Sequence, residues 1–259
     1  MADRDSTCRS GIAELKVISP DWPAPANVHA CFTTRVGGFS EGDWESLNLA
    51  THVGDNPSAV SANRNHLRSS AGLPSDPLWL DQIHGARVID AAQSNHGERA
   101  DASYTTQKRT ICAVMVADCL PILLTSAQGT WVAAVHAGWR GLEQQIIRKA
   151  VGKYGGPAEQ LMAWIGPAIS AQAYVVGEDL RQQLTAAHPD WQKTFQLSEG
   201  QWHFDLRALA VMQMQNLGLQ KIYHDERCVH DHSQDFFSYR RDKTCGRMAA
   251  MIWIDGQSV

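Results

Sequence analysis

The sequence predicts a mixed α/β fold, built as one domain over residues 1–259. Three observations carry that reading. Apolar runs of β type, chiefly Ile111–Val116, Trp131–Val135 and Met248–Ile254, are too short for typical helices. Between such runs lie segments with helical spacing, the clearest being Asp205–Asn216, with Asp205 at the N-cap and Leu206, Leu209 and Met212 at core spacing. No internal repeat, low-complexity tract or linker marks a domain boundary.

Taken in order, Val28–Thr34 reads as a strand leading into Arg35-Val36-Gly37-Gly38, a turn or nest-like loop. After Ser46-Leu47-Asn48-Leu49, Asn56-Pro57 opens a helix through Ser70, with proline placed for a first turn. Leu78–Ile83 and Arg87–Asp90 are short strands flanking His84-Gly85, and 91–103 is polar and irregular. The two runs Ile111–Val116 and Trp131–Val135 suit strands buried on both faces, and Leu142–Val151 reads as a helix. Leu161–Ile165 is a strand closed by Gly166-Pro167, and Gly177–Ala187 a helix stopped before Pro189. Val175 and Ile222 mark further strands.

Composition narrows the function classes. A net charge of −4 disfavours a dedicated nucleic-acid binder, which shows a basic stripe. The opening MADRDSTCRSGIAELKV has no apolar segment of secretory type, and no window approaches the roughly 18 apolar residues of a membrane span. Cys8, Cys31, Cys112, Cys119, Cys228 and Cys245 are scattered without CxxC spacing, as in a cytoplasmic protein with reduced thiols.

The chemistry concentrates in residues 111–141. The first apolar run ends in Asp118-Cys119 and the second in His136, which Ala137-Gly138-Trp139-Arg140-Gly141 follows. Ligands are commonly handled at the carboxyl ends of strands in open α/β sheets, and a helix beginning near His136 would offer N–H groups to an anion. His84, Cys119 and His136 each end an apolar run, and two imidazoles with a thiolate suit zinc, or copper as the alternative. Three protein ligands leave an open position, the catalytic pattern rather than the structural one. The same residues also read as a cysteine nucleophile with His136 as base, or as buried polar groups with no chemistry.

The motifs resemble one family. Gln82-Ile83-His84-Gly85, Ala117-Asp118-Cys119-Leu120-Pro121 and Val135-His136-Ala137-Gly138-Trp139-Arg140-Gly141 are similar to segments of the YfiH-type proteins. These have been called multicopper polyphenol oxidoreductases and, later, purine nucleoside phosphorylases; the human relative is FAMIN. Thr33–Gly38, Ser46–Leu49, Gly166–Ile169 with Tyr174, and Phe237–Asp242 with Gly246-Arg247 extend the resemblance over nearly the whole chain. One departure is Val176, where the family segment carries an acid.

The resemblance implies β-sheet layers flanked by helices, similar to a domain of a bacterial deamidating toxin. It implies zinc on His84, Cys119 and His136, and phosphorolysis of adenosine, inosine, guanosine and methylthioadenosine, with deamination of adenosine as a side activity. The partners are then a purine nucleoside and phosphate, for a cytoplasmic monomer or small homo-oligomer. Arg35, Arg140 and Arg240 are candidates for phosphate, because guanidinium pairs with its oxygens two at a time. Trp139 is a candidate for stacking on the purine, Asn48, Gln82 and Tyr174 for other substrate contacts, and Asp118 for proton transfer. Two rival activities use the same residues: an amidase editing peptidoglycan precursors that carry misplaced serine, and a copper-dependent polyphenol oxidase. A multicopper oxidase needs about ten histidine ligands, mostly in HxH pairs, and His230-Asp231-His232 is the single such pair here.

Overall fold

The computed structural model describes residues 13–256, so Cys8 lies outside the described residues. The early strands are β1 (Val17–Ile18), β2 (Val28–Thr33), β3 (Val88–Asp90), β4 (Ala102–Thr105) and β5 (Cys112–Val116), with α1 (Pro57–Ser70) between β2 and β3. Then come β6 (Leu120–Ser126), β7 (Val132–Ala137), α2 (Trp139–Glu143), α3 (Ile146–Val151), β8 (Leu161–Ile165), β9 (Val175–Val176) and α4 (Glu178–Ala187). The chain closes with β10 (Phe195–Ser198), β11 (Gln201–Phe204), α5 (Leu206–Asn216), β12 (Lys221–His224), α6 (Tyr239–Asp242) and β13 (Met248–Ile254).

Two sheets form the centre. One has the order β1-β2-β13-β5, the other β12-β8-β6-β7-β4-β3, and β10-β11-β9 make a small third sheet. Side chains alternate along each strand, so each large sheet has two apolar faces. Val114 and Val116 of β5 meet Leu123 of β6, Val132 and Ala134 of β7 and Trp164 of β8 in a core between the sheets. Ala113 and Met115 point the other way, toward Leu67 of α1. Ile122, Leu124, Ala133 and Val135 pack outward against Ile146 and Ile147 of α3 and Leu209 of α5. The result is four layers: helix, sheet, sheet, helix. That is why Ile111–Val116 and Trp131–Val135 read as buried on both faces.

The pairing differs from the open parallel sheet that such runs bring to mind. Contacts within the four-stranded sheet are antiparallel, and parallel pairs in the six-stranded one occur only at its ends, β12 with β8 and β3 with β4. A second layer of sheet, rather than crossover helices, covers the inner face.

Three local expectations need correcting, and one strand was not anticipated. Leu78–Ile83 is not a strand; only Leu78 and Asp81 make isolated bridges there. The irregular stretch 91–103 ends inside β4. Leu120–Ser126 is a central strand although Pro121 lacks an N–H, because proline stands at the second position, where the strand is just entering the sheet. The helix over Leu142–Val151 is instead two short ones: α2 begins earlier, and Gln145 takes a left-handed φ of 63° that ends it and redirects α3 onto the sheet. Asn56 caps α1 by accepting from Ser58 N, and Asp205 caps α5 by accepting from Ala208 N, as the sequence indicates. No helix among the described residues is long and apolar enough to cross a membrane.

The two-sheet core makes a specific demand. Trp164 is 2% exposed and meets Phe32 of the opposite sheet edge-on, with ring centroids 6.5 Å apart. Trp164→Ala should therefore cost about 3–5 kcal/mol of stability in a denaturant titration; a loss below about 1 kcal/mol would mean the sheets do not depend on this contact.

Candidate active site

β5 belongs to one sheet and β6 to the other, so the turn between them, Ala117-Asp118-Cys119, crosses the gap between layers. Asp118 makes the crossing with a φ of 100°. Cys119 then stands just before β6, beside the end of β7, where Pro121 pairs with His136. His84 arrives from a loop and adopts a φ of 58°. One ligand atom from each of His84, Cys119 and His136 lies within 4.8 Å of the other two, and the imidazoles meet edge-to-face at 4.8 Å.

A residue the sequence reading missed holds this group together. Asp101 is fully buried and accepts the Nδ1–H of His136 at 2.8 Å. It also accepts the backbone N–H groups of Ile83, His84 and Gly85 at 3.3, 2.9 and 2.7 Å. Burial alone would raise its pKa, but His136 and these donors hold it below the ordinary carboxylate range. With Nδ1 donating to a carboxylate, Nε2 is the His136 nitrogen turned toward the cluster, and a metal ion would take it in place of a proton. Its signal in sequence was slight, an acid in a polar stretch.

The thiol and imidazole bias each other. Burial resists ionisation of Cys119, yet His136 and His84 beside it bring its pKa below the usual thiol value. Burial likewise opposes charge on His136, and Cys119 and Asp101 outweigh it and raise its pKa. Two buried thiols elsewhere behave oppositely: burial pushes Cys31 and Cys112 up to about 12. The cradle is also open where it must be. A Cβ on Gly138 would lie 2.9 Å from the Cys119 Sγ and 3.4 Å from His84 Cδ2. A soft–borderline donor set, a carboxylate behind one imidazole and space kept by glycine all fit a metal ion held by three ligands.

These residues open into a cavity of about 420 Å³, within the range of small-molecule sites. Gln82, Asp118, Trp139, Arg140, Tyr174 and Arg240 line it, together with His52, Met115, Tyr239 and Arg247, which the sequence reading did not select as site residues. Arg140 lies over the Trp139 ring at 4.3 Å and Arg240 over Tyr174 at 4.7 Å. Arg240 also donates to Val175 O at 2.6 Å. Burial pushes the Tyr174 phenol up to about 12. Both Asp118 carboxylate oxygens are engaged, one by the Ser238 hydroxyl at 2.6 Å and one by the Arg240 N–H at 2.7 Å, and burial raises its pKa.

Arg35 and Asn48 are placed elsewhere. Arg35 does not line the cavity; it donates to Glu45 O and Ser233 O and lies over Phe237. Asn48 is fully buried and accepts from Arg247 N at 3.0 Å, so it acts on the cavity only through that backbone. Glu178, beside the Val176 departure, pairs with Arg181 away from the cavity. The helix expected after His136 does begin beside it, at Trp139 on the cavity wall, but α2 is five residues long.

Residues 29–255 match the family described as multi-copper polyphenol oxidoreductase laccase. The chain belongs to that family. It is 43% identical over 240 residues to an Escherichia coli K12 protein named purine nucleoside phosphorylase YfiH, covering 92% of this chain and 99% of that one. A Haemophilus influenzae protein named purine nucleoside phosphorylase is 41% identical over 244 residues, 93% and 100% of the two chains. The crystal structure of a Neisseria meningitidis protein matches with a TM-score of 0.88 at 44% identity, covering 93% of this chain and 99% of that one. YlmD from Geobacillus stearothermophilus matches with a TM-score of 0.85 at 28% identity, covering 94% and 99%. Membership of the YfiH-type family and the mixed α/β fold thus stand as the motifs indicated.

Asp101 and Gly138 define what the group needs to hold a metal. Asp101→Ala strands three N–H donors and frees the His136 ring, and Gly138→Ala drives a methyl against Cys119. Each should weaken Zn²⁺ binding by about 10–100-fold in a competition titration; unchanged affinity in both would show that the three side chains do not act as a ligand set.

Proposed function

We propose that the chain is a zinc-dependent purine nucleoside phosphorylase acting in the cytoplasm as one catalytic domain. The observation that carries this reading is the shared cavity, where the His84/Cys119/His136 group faces Arg140, Arg240 and Arg247 between aromatic rings. The names of the relatives support it. Three guanidinium groups against one half-buried carboxylate favour a doubly charged anion, and phosphate accepts their paired N–H donors.

In phosphorolysis, a phosphate oxygen bonds to ribose C1′ while the C1′–N9 bond breaks and its electron pair leaves with the purine. A proton then reaches the departing base. The arginines align phosphate and offset its charge as it approaches a ribose that is becoming positive. Trp139 and the exposed Tyr239 line the cavity and supply aromatic surface for the base. Tyr174 keeps its proton throughout the neutral range and serves as a hydrogen-bond donor. Asp118 is occupied by Ser238 and the Arg240 backbone, so its role is to hold Arg240 rather than to shuttle a proton. Zinc, when bound, supplies a Lewis acid with an open coordination position, the feature that favours adenosine deamination as a side activity.

The copper oxidase name of the family fits this site less well. Among the described residues, His84, Cys119 and His136 are the one group of three or more side chains placed to share a metal, whereas a multicopper centre needs several. No observation favours the peptidoglycan-editing amidase over the nucleoside reading.

The test uses purified, metal-quantified protein with adenosine, with and without phosphate. Adenine and ribose 1-phosphate should form only with phosphate and fall by at least about 100-fold in Cys119→Ala. Arg247→Ala should raise the phosphate KM by roughly tenfold or more, the loss of a charge-assisted hydrogen bond. Inosine formed without phosphate would mark the deaminase activity. No purine nucleoside turnover by the zinc-loaded protein would sink the proposal.

A further inference from the structure

Gln82 lines the cavity two residues before His84, yet its carboxamide is already committed to the backbone. Its Nε2 donates to Met115 O at 2.8 Å, and its Oε1 accepts from Met115 N at 2.7 Å. This is the pair of bonds that a neighbouring strand residue would make. β5 pairs with β13 on one side only, so its other edge is open to such a partner.

The segment before Gln82 begins as that partner and then departs. Leu78 bridges Cys112 in parallel and its N–H reaches Ile111 O at 3.1 Å. From there the backbone turns to a different neighbour: Trp79 O accepts from Gly97 N, Asp81 N donates to Glu98 O, and Asp81 O accepts from Ala100 N. Gln82 stands four positions beyond Leu78 while Met115 stands three beyond Cys112, so the main chain has bowed away from β5. The Gln82 side chain spans the gap the bow creates. Two residues on, the His84 N–H reaches Asp101 Oδ1. The loop is therefore pinned at Gln82 and again at Asp101, with His84 next to the second anchor. Met115 lies four residues before Cys119, so the same two bonds join both ligand-bearing segments.

We propose that Gln82 is a positioning residue: its carboxamide replaces a strand partner on the open edge of β5 and sets where His84 stands relative to Cys119 and His136. The length and the two-way hydrogen bonding both matter. Asparagine falls one methylene short, methionine keeps the length without either bond, and glutamate keeps the acceptor but loses the donor. The assignment rests on the metal reading of the three-residue group.

The probe is Co²⁺ titrated into metal-free protein, read by its ligand-field and thiolate charge-transfer absorption, with folding followed by far-ultraviolet circular dichroism. Wild-type protein should bind one Co²⁺. Gln82→Met and Gln82→Asn should bind it roughly 10–100-fold more weakly, with an altered spectrum and unchanged circular dichroism. Gln82→Glu should fall between them and wild type, and it carries the test if the other two fail to fold. Wild-type affinity and spectrum in the variants, with only the nucleoside KM raised, would overturn the assignment and make Gln82 a substrate contact. A wild-type protein that takes up no Co²⁺ would overturn the metal reading and this assignment together.

Discussion

The Asp101 carboxylate is the joint on which the site depends. A buried carboxylate is costly unless its oxygens are filled, and here an imidazole and three backbone N–H groups fill them. Each partner gains order in return. The loop at 83–85 is held although His84 takes a left-handed conformation that a non-glycine residue adopts at a cost. The His136 ring is fixed in orientation, with Nδ1 on Asp101 and Nε2 turned toward Cys119. The backbone adds a further link, since Asp101 O accepts from His136 N at 2.8 Å. Remove the carboxylate and a loop, a strand end and a proton position all lose their reference.

A second joint, Asp118, does the same for the cationic side of the cavity. Its carboxylate receives Ser238, which caps α6, and Arg240 N in the first turn of that helix. Its carbonyl accepts from Ile169 N. Asn48, from the far side of the fold, fixes Arg247 through its backbone N–H. Arg240 and Arg247 thus line the cavity from segments whose main chains are anchored by polar side chains. Arg35 serves the anchoring instead, tying the carbonyls of Glu45 and Ser233 together.

The sequence disclosed the parts of this arrangement that are periodic or that concentrate chemistry in one short stretch. β5, β7, β8 and β13 are apolar runs, α1 and α5 carry side-chain caps, and Asp118, Cys119 and His136 stand at the ends of such runs. What stayed hidden depends on contacts between distant segments. Asp101 is one acid in a polar stretch until the fold places it beneath His136. β4 and β6 lack a clean signal, the first being short and the second carrying proline at its second position. The break at Gln145 answers to the packing of Ile146 and Ile147 on the sheet, which no local residue announces. Asn48 and Gln82 matched family motifs, but only the fold shows that their amides are already committed, Gln82 to the Met115 backbone and Asn48 to the Ala50 and Arg247 backbone and the Asp55 carboxylate.

The location of the site follows from the layering. Where β5 passes into β6 the chain leaves one sheet and joins the other, so its backbone cannot be paired within either. Ala117, Asp118 and Cys119 are only half-buried there, between cores that otherwise admit almost nothing polar. Polar side chains are tolerated at such a crossing because they satisfy the backbone that the sheets release, and Asp118 and Asp101 do this for the segments on either side. Once those demands are met, Cys119 and the imidazoles remain as donors facing an open cavity. The fold thus concentrates ionisable groups at one of the crossings where the chain passes directly from one apolar sheet to the other.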